Sequence, residues 1–187
     1  MLPALFSMLL YLPCTPCLAD PAPQVKVKRV RGNLIIDASM VVPVRQQLAF
    51  DVLTDYSHMP TFISNLKESK IVESNGNKLV VSQKGKAGSG AFSFAWETTR
   101  EITLTAPSEI HSKIIGGSVK QGESTTHLTP DGQSIKIVMH SESAASALLP
   151  PVVGVSMVET QIKKQYAELR DEMLKRQKLA DQKPGTD

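Results

Sequence analysis

Apolar residues near the C-terminal end of the chain recur in steps of three and four: Val155, Val158, Ile162, Tyr166, Leu169 and Met173. Glu159, Gln161, Lys163, Lys164, Glu168, Arg170 and Asp171 lie between them, so the segment reads as a helix with one apolar stripe and one solvated face. Pro150-Pro151 marks its start, because proline suits a first helical turn. Lys175, Arg176 and Lys178 gather at its end, where cations meet the carbonyl pole of the helix dipole. A helix from about Val152 to Gln177 would be roughly 39 Å long. A seven-residue strand spans only about 23 Å, so the last turns should overhang whatever the helix packs on.

Upstream the period changes to two. Val25 to Arg31 alternates apolar and basic residues, the pattern of an edge strand guarded by charge, or of a basic strip for anionic headgroups. After a turn at Gly32-Asn33, the strand from Leu34 to Val42 sets Leu34, Ile36, Ala38, Met40 and Val42 on one face. Pro43 then starts a short helix with Val44, Leu48, Phe50, Val52 and Leu53 as its apolar positions. Tyr56 to Pro60 interrupts it, and a second short helix or turn runs through Phe62 and Ile63 to Leu66.

From Lys67 onward the chain reads as short strands. Asn75-Gly76 signals a hairpin between Ile71–Glu73 and Lys78–Gln83. Gly85 to Gly90 is a connection without the spacing of a phosphate-binding loop. In the strand from Phe92 to Leu104, Phe92, Phe94, Trp96, Thr98, Arg100, Ile102 and Leu104 share one face, and Arg100 interrupts its apolar character. Strands follow at Glu109–Ile115, Gln121–Thr129 and Gln133–Ser143, the last carrying Ile135, Ile137 and Met139 on one face, with a turn at Pro130-Asp131-Gly132. One strand, two short helices, about six antiparallel strands and a long helix specify an α+β fold. Its curved antiparallel sheet wraps around the C-terminal helix.

Residues 1–19 contain no charged side chain and carry a short apolar run from Leu5 to Leu12, with Cys17-Leu18-Ala19 before Asp20. They read as a secretory signal peptide cleaved after Ala19, which places the mature protein in the periplasm or outside the cell; an uncleaved anchor is the rival reading. Residues 20–33 form an arm and edge strand, 34–178 one domain, and 179–187 a fraying tail. Both cysteines, Cys14 and Cys17, lie in the leader, so thiol chemistry is not expected in the mature chain. A formal charge of +3 is too small and scattered to argue for nucleic acid.

His58, His111, His127 and His140 show no metal-ligand spacing, and no nucleophile motif is present. No metal, cofactor or catalytic residue is therefore expected. Arg100 is the sharpest single position, since a guanidinium on an apolar face needs a partner, a path to the rim, or the polar head of a ligand.

The element order resembles the polyketide cyclase/dehydrase and coenzyme Q-binding branch of the START-like (Bet v 1-like, helix-grip) superfamily. So do Asp55-Tyr56-Ser57-His58-Met59-Pro60-Thr61-Phe62-Ile63 and the following Leu66-Lys67-Glu68-Ser69-Lys70-Ile71-Val72. The likeness covers roughly Leu34 to Arg176. It implies a hydrophobic cavity between sheet and long helix, roofed by the short helices. Walls at Met40, Phe92, Phe94, Trp96, Arg100 and Ile137 and a roof at Tyr56, Met59 and Phe62 would hold a lipid, isoprenoid quinone or polyketide-like molecule. A carrier or sequestering monomer with transient membrane contact is the first expectation. A cyclase/dehydratase-like enzyme using polar cavity residues is the second, and a partner-binding module at Lys175 and Arg176 the third.

Overall fold

The computed structural model describes residues 22–88, 93–118, 121–144 and 154–182; the leader, Phe92 and Pro150-Pro151 lie outside them. The chain runs β1 (Gln24–Val30), β2 (Asn33–Val42), α1 (Gln46–Thr54), a single 3-10 turn (Met59–Thr61), β3 (Leu66–Asn75), β4 (Lys78–Ala87), β5 (Phe94–Thr105), β6 (Glu109–Gly117), β7 (Gly122–Asp131), β8 (Ser134–Ala144) and α2 (Val155–Asp181). The described strands form one eight-stranded antiparallel sheet in the order β1-β2-β8-β7-β6-β5-β4-β3. Every sequence neighbour is a hairpin except β2 and β3. The chain crosses between these two through α1 and the 3-10 turn, and β2 is left to pair with β8, with Met40 opposite Ile137 and Val42 opposite Ile135. The result is the helix-grip architecture, a curved sheet around one long helix.

The period-two readings hold through the sheet. Leu34, Ala38, Met40 and Val42 are buried on one face of β2 while Asp37 is exposed. In β1, Val25 and Val27 are buried, Lys26 and Lys28 face solvent, and the strand lies at the edge of the sheet against α2. The turn to β2 uses Arg31-Gly32, one residue earlier than expected: Arg31 has φ 50° and Gly32 φ 84°, the left-handed pair a two-residue hairpin needs.

Two boundaries differ from the expectations. Helix α1 starts at Gln46 and not at Pro43, because the Val44 N–H donates to the Val42 carbonyl (2.9 Å) and holds Pro43 in a bend. The second short helix is the 3-10 turn Met59–Thr61, which precedes Phe62 and accommodates Pro60 within its first turn. Helix α2 has 27 residues, about 40 Å of rod. It reaches Asp181, beyond the Gln177 expected from the pattern. Of its stripe, Tyr166 and Met173 are buried, whereas Val155, Val158, Ile162 and Leu169 are only half-buried. A helix face that is half-covered where it looks onto a sheet is a face looking onto a cavity.

The packed core lies at the other end of the concave face, where α1 closes over β7 and β8. Val42, Val52, Ile102, Ile137 and Met173 are fully buried. The Gln46 side-chain amide donates to the Leu128 carbonyl (3.0 Å) and fixes α1 on β7. Met40 and Ile137, expected on the cavity wall, belong to this core because α1 fills their end of the groove.

Candidate functional site

Beyond that core the groove stays open in two adjoining chambers. The larger holds about 410 Å³ and is enclosed by Tyr56, Met59 and Ile63 from the roof, Leu169 and Gln165 from α2, and the sheet below. The smaller, about 200 Å³, lies under the first turns of α2 between Leu34, Phe94, Met157, Val158 and Ile162. Ile36, Trp96 and Gln165 border both.

Trp96 is placed by a glycine. It pairs with Gly85 across β4 and β5, and its indole lies over the Gly85 backbone. A Cβ at Gly85 would stand 2.4 Å from the indole and 2.5 Å from the Asn65 carbonyl oxygen. That carbonyl accepts from the Lys86 N–H (2.9 Å), and the Gln165 amide donates to the Asn65 side-chain oxygen (2.9 Å). Helix, loop and strand thus meet around Trp96.

Arg100 points into the larger chamber, as alternation along β5 requires. The register of β5 and β6 shifts here: Thr99 opposes Gly116 and Arg100 opposes Ile114, so the extra residue is Ile115 on β6, which is exposed. The bulge therefore leaves the phase of β5 untouched. One guanidinium nitrogen (Nη2) of Arg100 donates to the Gln83 side-chain oxygen, and the Gln83 amide donates in turn to Ser69 Oγ (2.9 Å) and the Met59 sulfur (3.6 Å). The buried Arg100 Nε has no hydrogen-bond partner, and no ion pair to Arg100 occurs among the described residues. Burial pushes the Arg100 pKa down, opposed by the nearby Tyr56; burial likewise pushes the Tyr56 phenol up, opposed by the charge of Arg100.

Gln83 and the hydroxyls of Thr98, Ser112, Ser124, Thr126, Ser141 and Ser143 line the same chamber and were not singled out from the sequence. Their signal is the continuation of each strand's inward phase. Leu79-Val81-Gln83 in β4, Leu128-Thr126-Ser124 in β7 and Ile137-Met139-Ser141-Ser143 in β8 all turn from apolar to polar on leaving the α1 end.

Phe62, expected in the roof of the cavity, instead supports a surface clasp: the Arg176 guanidinium carbon lies 5.5 Å from its ring centroid. Arg176 also donates to Asp55 (2.8 Å) and Glu172 (2.8 Å), and His58 Nδ1 lies 2.6 Å from Asp55. Arg176 therefore ties α2 to the roof and is no free overhang. Burial alone would raise Asp55, but the bonds from His58 and Arg176 outweigh it and hold the carboxyl below its ordinary 3.8. Glu172 is held below 4.5 in the same way by Arg176 and Lys175. A folded-state pKa below the unfolded one gives stability that is complete above the unfolded value and lost as pH falls through the folded one. Asp55→Asn should thus cost about 1–2 kcal/mol at pH 7 and clearly less at pH 3, where the carboxyl begins to protonate. Urea unfolding at both pH values reads the difference, and an equal cost at both would refute the clasp.

Of the histidines, His58 and His140 are exposed and paired with Asp55 and Asp37, and His127 pairs with Glu109. No cluster of histidine, cysteine or carboxylate suited to a metal ion occurs among the described residues.

Residues 34–174 match the family described as polyketide cyclase / dehydrase and lipid transport. No match was found among curated proteins. Among solved structures, the STAR-related lipid transfer protein (fragment 25–204) from Xanthomonas axonopodis is similar at TM-score 0.65 and 10% identity, covering 82% of this chain and 94% of that one. The Zhui aromatase/cyclase from Streptomyces sp. R1128 is similar at 0.62 and 14%, covering 77% and 95%. A START superfamily protein from Mycobacterium smegmatis gives 0.58 and 12%, covering 78% and 98%. At these identities the structures report the fold, and the match over residues 34–174 carries the assignment. The chain belongs to the polyketide cyclase / dehydrase and lipid transport family.

Proposed function

We propose that the protein holds a small hydrophobic molecule, such as a lipid, an isoprenoid quinone or a polyketide-like compound, between its sheet and α2, as a carrier or sequestering protein. The observation that carries this reading is the cavity itself. Its larger chamber of about 410 Å³ has apolar walls set with Arg100, two glutamines and six small hydroxyl side chains, and lies in the size range of small-molecule sites. Burial of apolar ligand surface supplies most of the affinity. The leader residues support a periplasmic location for this carrier, acting as a monomer with transient contact to the membrane surface.

A second reading has one observation in its favour. Tyr56 and Arg100 line the same chamber, and burial keeps the phenol protonated, so the pair could polarise a carbonyl and supply a proton as a cyclase or dehydratase would. The described histidines stand outside the cavity lining, which favours the carrier.

Trp96 is the single tryptophan of the chain and borders both chambers, so its emission reports occupancy. Titration with a panel of fatty lipids, quinones and fused aromatic ketones should give a saturable change with a Kd of about 10 µM for at least one class. A flat response across the panel contradicts the carrier. Conversion of a polyketide-like ketone to a dehydrated ring product would favour the enzyme.

A further inference from the structure

We propose that the ligand is an amphiphilic monocarboxylate, its head on Arg100 in the larger chamber and its apolar chain running past Trp96 into the smaller one. The inference rests on the internal-ligand reading and adds the chemistry of the head and its direction.

Arg100 is the single charged side chain among the described residues lining the larger chamber. Its one hydrogen-bond acceptor there is the neutral Gln83 oxygen, and its buried Nε has no partner. A buried cation without an anion is costly, and nothing in the described walls supplies one. A planar guanidinium binds a carboxylate through two parallel hydrogen bonds. A quinone carbonyl or an alcohol would accept one bond and leave the charge unbalanced. A phosphate monoester would bring up to two negative charges to one cation. A carboxylate matches in both charge and geometry.

The direction follows from the lining. Gln83 and Tyr56 stand beside Arg100, and the hydroxyls of Ser112, Ser124 and Thr126 line the same chamber, polar groups that can solvate a head. The smaller chamber is walled mainly by Leu34, Phe94, Val158 and Ile162 and suits a hydrocarbon chain. Trp96 and Gln165 belong to both, so a chain leaving the head passes between them.

The test uses dodecanoate, dodecanol, methyl dodecanoate and dodecyl phosphate, titrated by Trp96 emission and calorimetry against the wild-type protein, Arg100→Met and Arg100→Lys. Wild type should bind dodecanoate about tenfold or more tighter than dodecanol or the ester. Arg100→Met should bind acid and alcohol alike, and Arg100→Lys should keep part of the preference through its charge. Equal affinity of wild type for acid and alcohol overturns the proposal without touching the carrier reading, and does so even where neither variant folds. An unchanged acid preference in a folded Arg100→Met also overturns it, as does tighter binding of dodecyl phosphate than of dodecanoate. Uptake of none of the four, together with a flat response to the wider panel, overturns the carrier reading and this proposal with it.

Discussion

Gly85→Ala is expected to lower the stability of the protein by about 3 kcal/mol and to abolish the response of Trp96 to ligand. The methyl group would stand 2.4 Å from the indole and 2.5 Å from the Asn65 carbonyl oxygen. The indole can swing away, but the carbonyl is backbone and already holds the Lys86 N–H. Relief therefore comes from moving Trp96 into the space it borders, where the two chambers adjoin. One substitution should produce both effects: a lower urea midpoint and a shifted Trp96 emission that no longer changes with ligand. Gly154→Ala is the control. No atom of the described residues lies within 4 Å of the Cβ it would add, and its cost should stay under about 1 kcal/mol. Equal stability losses for the two alanines would contradict the packing described around Trp96.

Met173→Ala is expected to cost about 3–4 kcal/mol, a fall in Tm of about 10 °C for a domain of this size. Met173 is fully buried on α2, in the same core cluster as Val52 of α1 and Ile137 of β8. Truncation leaves a void in the packed core that α1, α2 and the sheet share, and rigid neighbours cannot collapse into it. Leu179→Ala, two turns on, removes a side chain that is 52% exposed and should change stability by no more than about 0.5 kcal/mol. Thermal unfolding of the pair reads where α2 stops gripping the sheet. Similar Tm values for both variants would contradict the placement of the core.

Much of this arrangement was legible in the sequence because two periods carry it. The stripe from Val155 to Met173 defined α2, and alternation placed Arg100 on the inward face. The latter reading survived a bulge, since the extra residue sits on β6 at Ile115 and leaves the phase of β5 intact. Periodicity fixes a face but not a depth. Met40 and Ile137 share the inward phase with the cavity wall, yet α1 lands on their end of the groove and turns them into core. That landing depends on how the chain crosses from β2 to β3, a tertiary fact without a local pattern. Gln83 and the hydroxyls failed to stand out for a related reason. Polar residues on an inward phase look like strand ends until a cavity is known to lie beside them. Arg176 looked like a solvated helix end because its partners, Asp55 and Phe62, are more than a hundred residues away in sequence.

The central claim is that the groove between sheet and α2 is occupied by a small apolar molecule. Native mass spectrometry of the protein purified without detergent, followed by organic extraction, tests it most directly. The account predicts a discrete added mass that extracts as an amphiphilic carboxylic acid and whose occupancy falls in Arg100→Met. A mass equal to the bare chain, together with a Trp96 emission unchanged by every lipid and quinone offered, would contradict it.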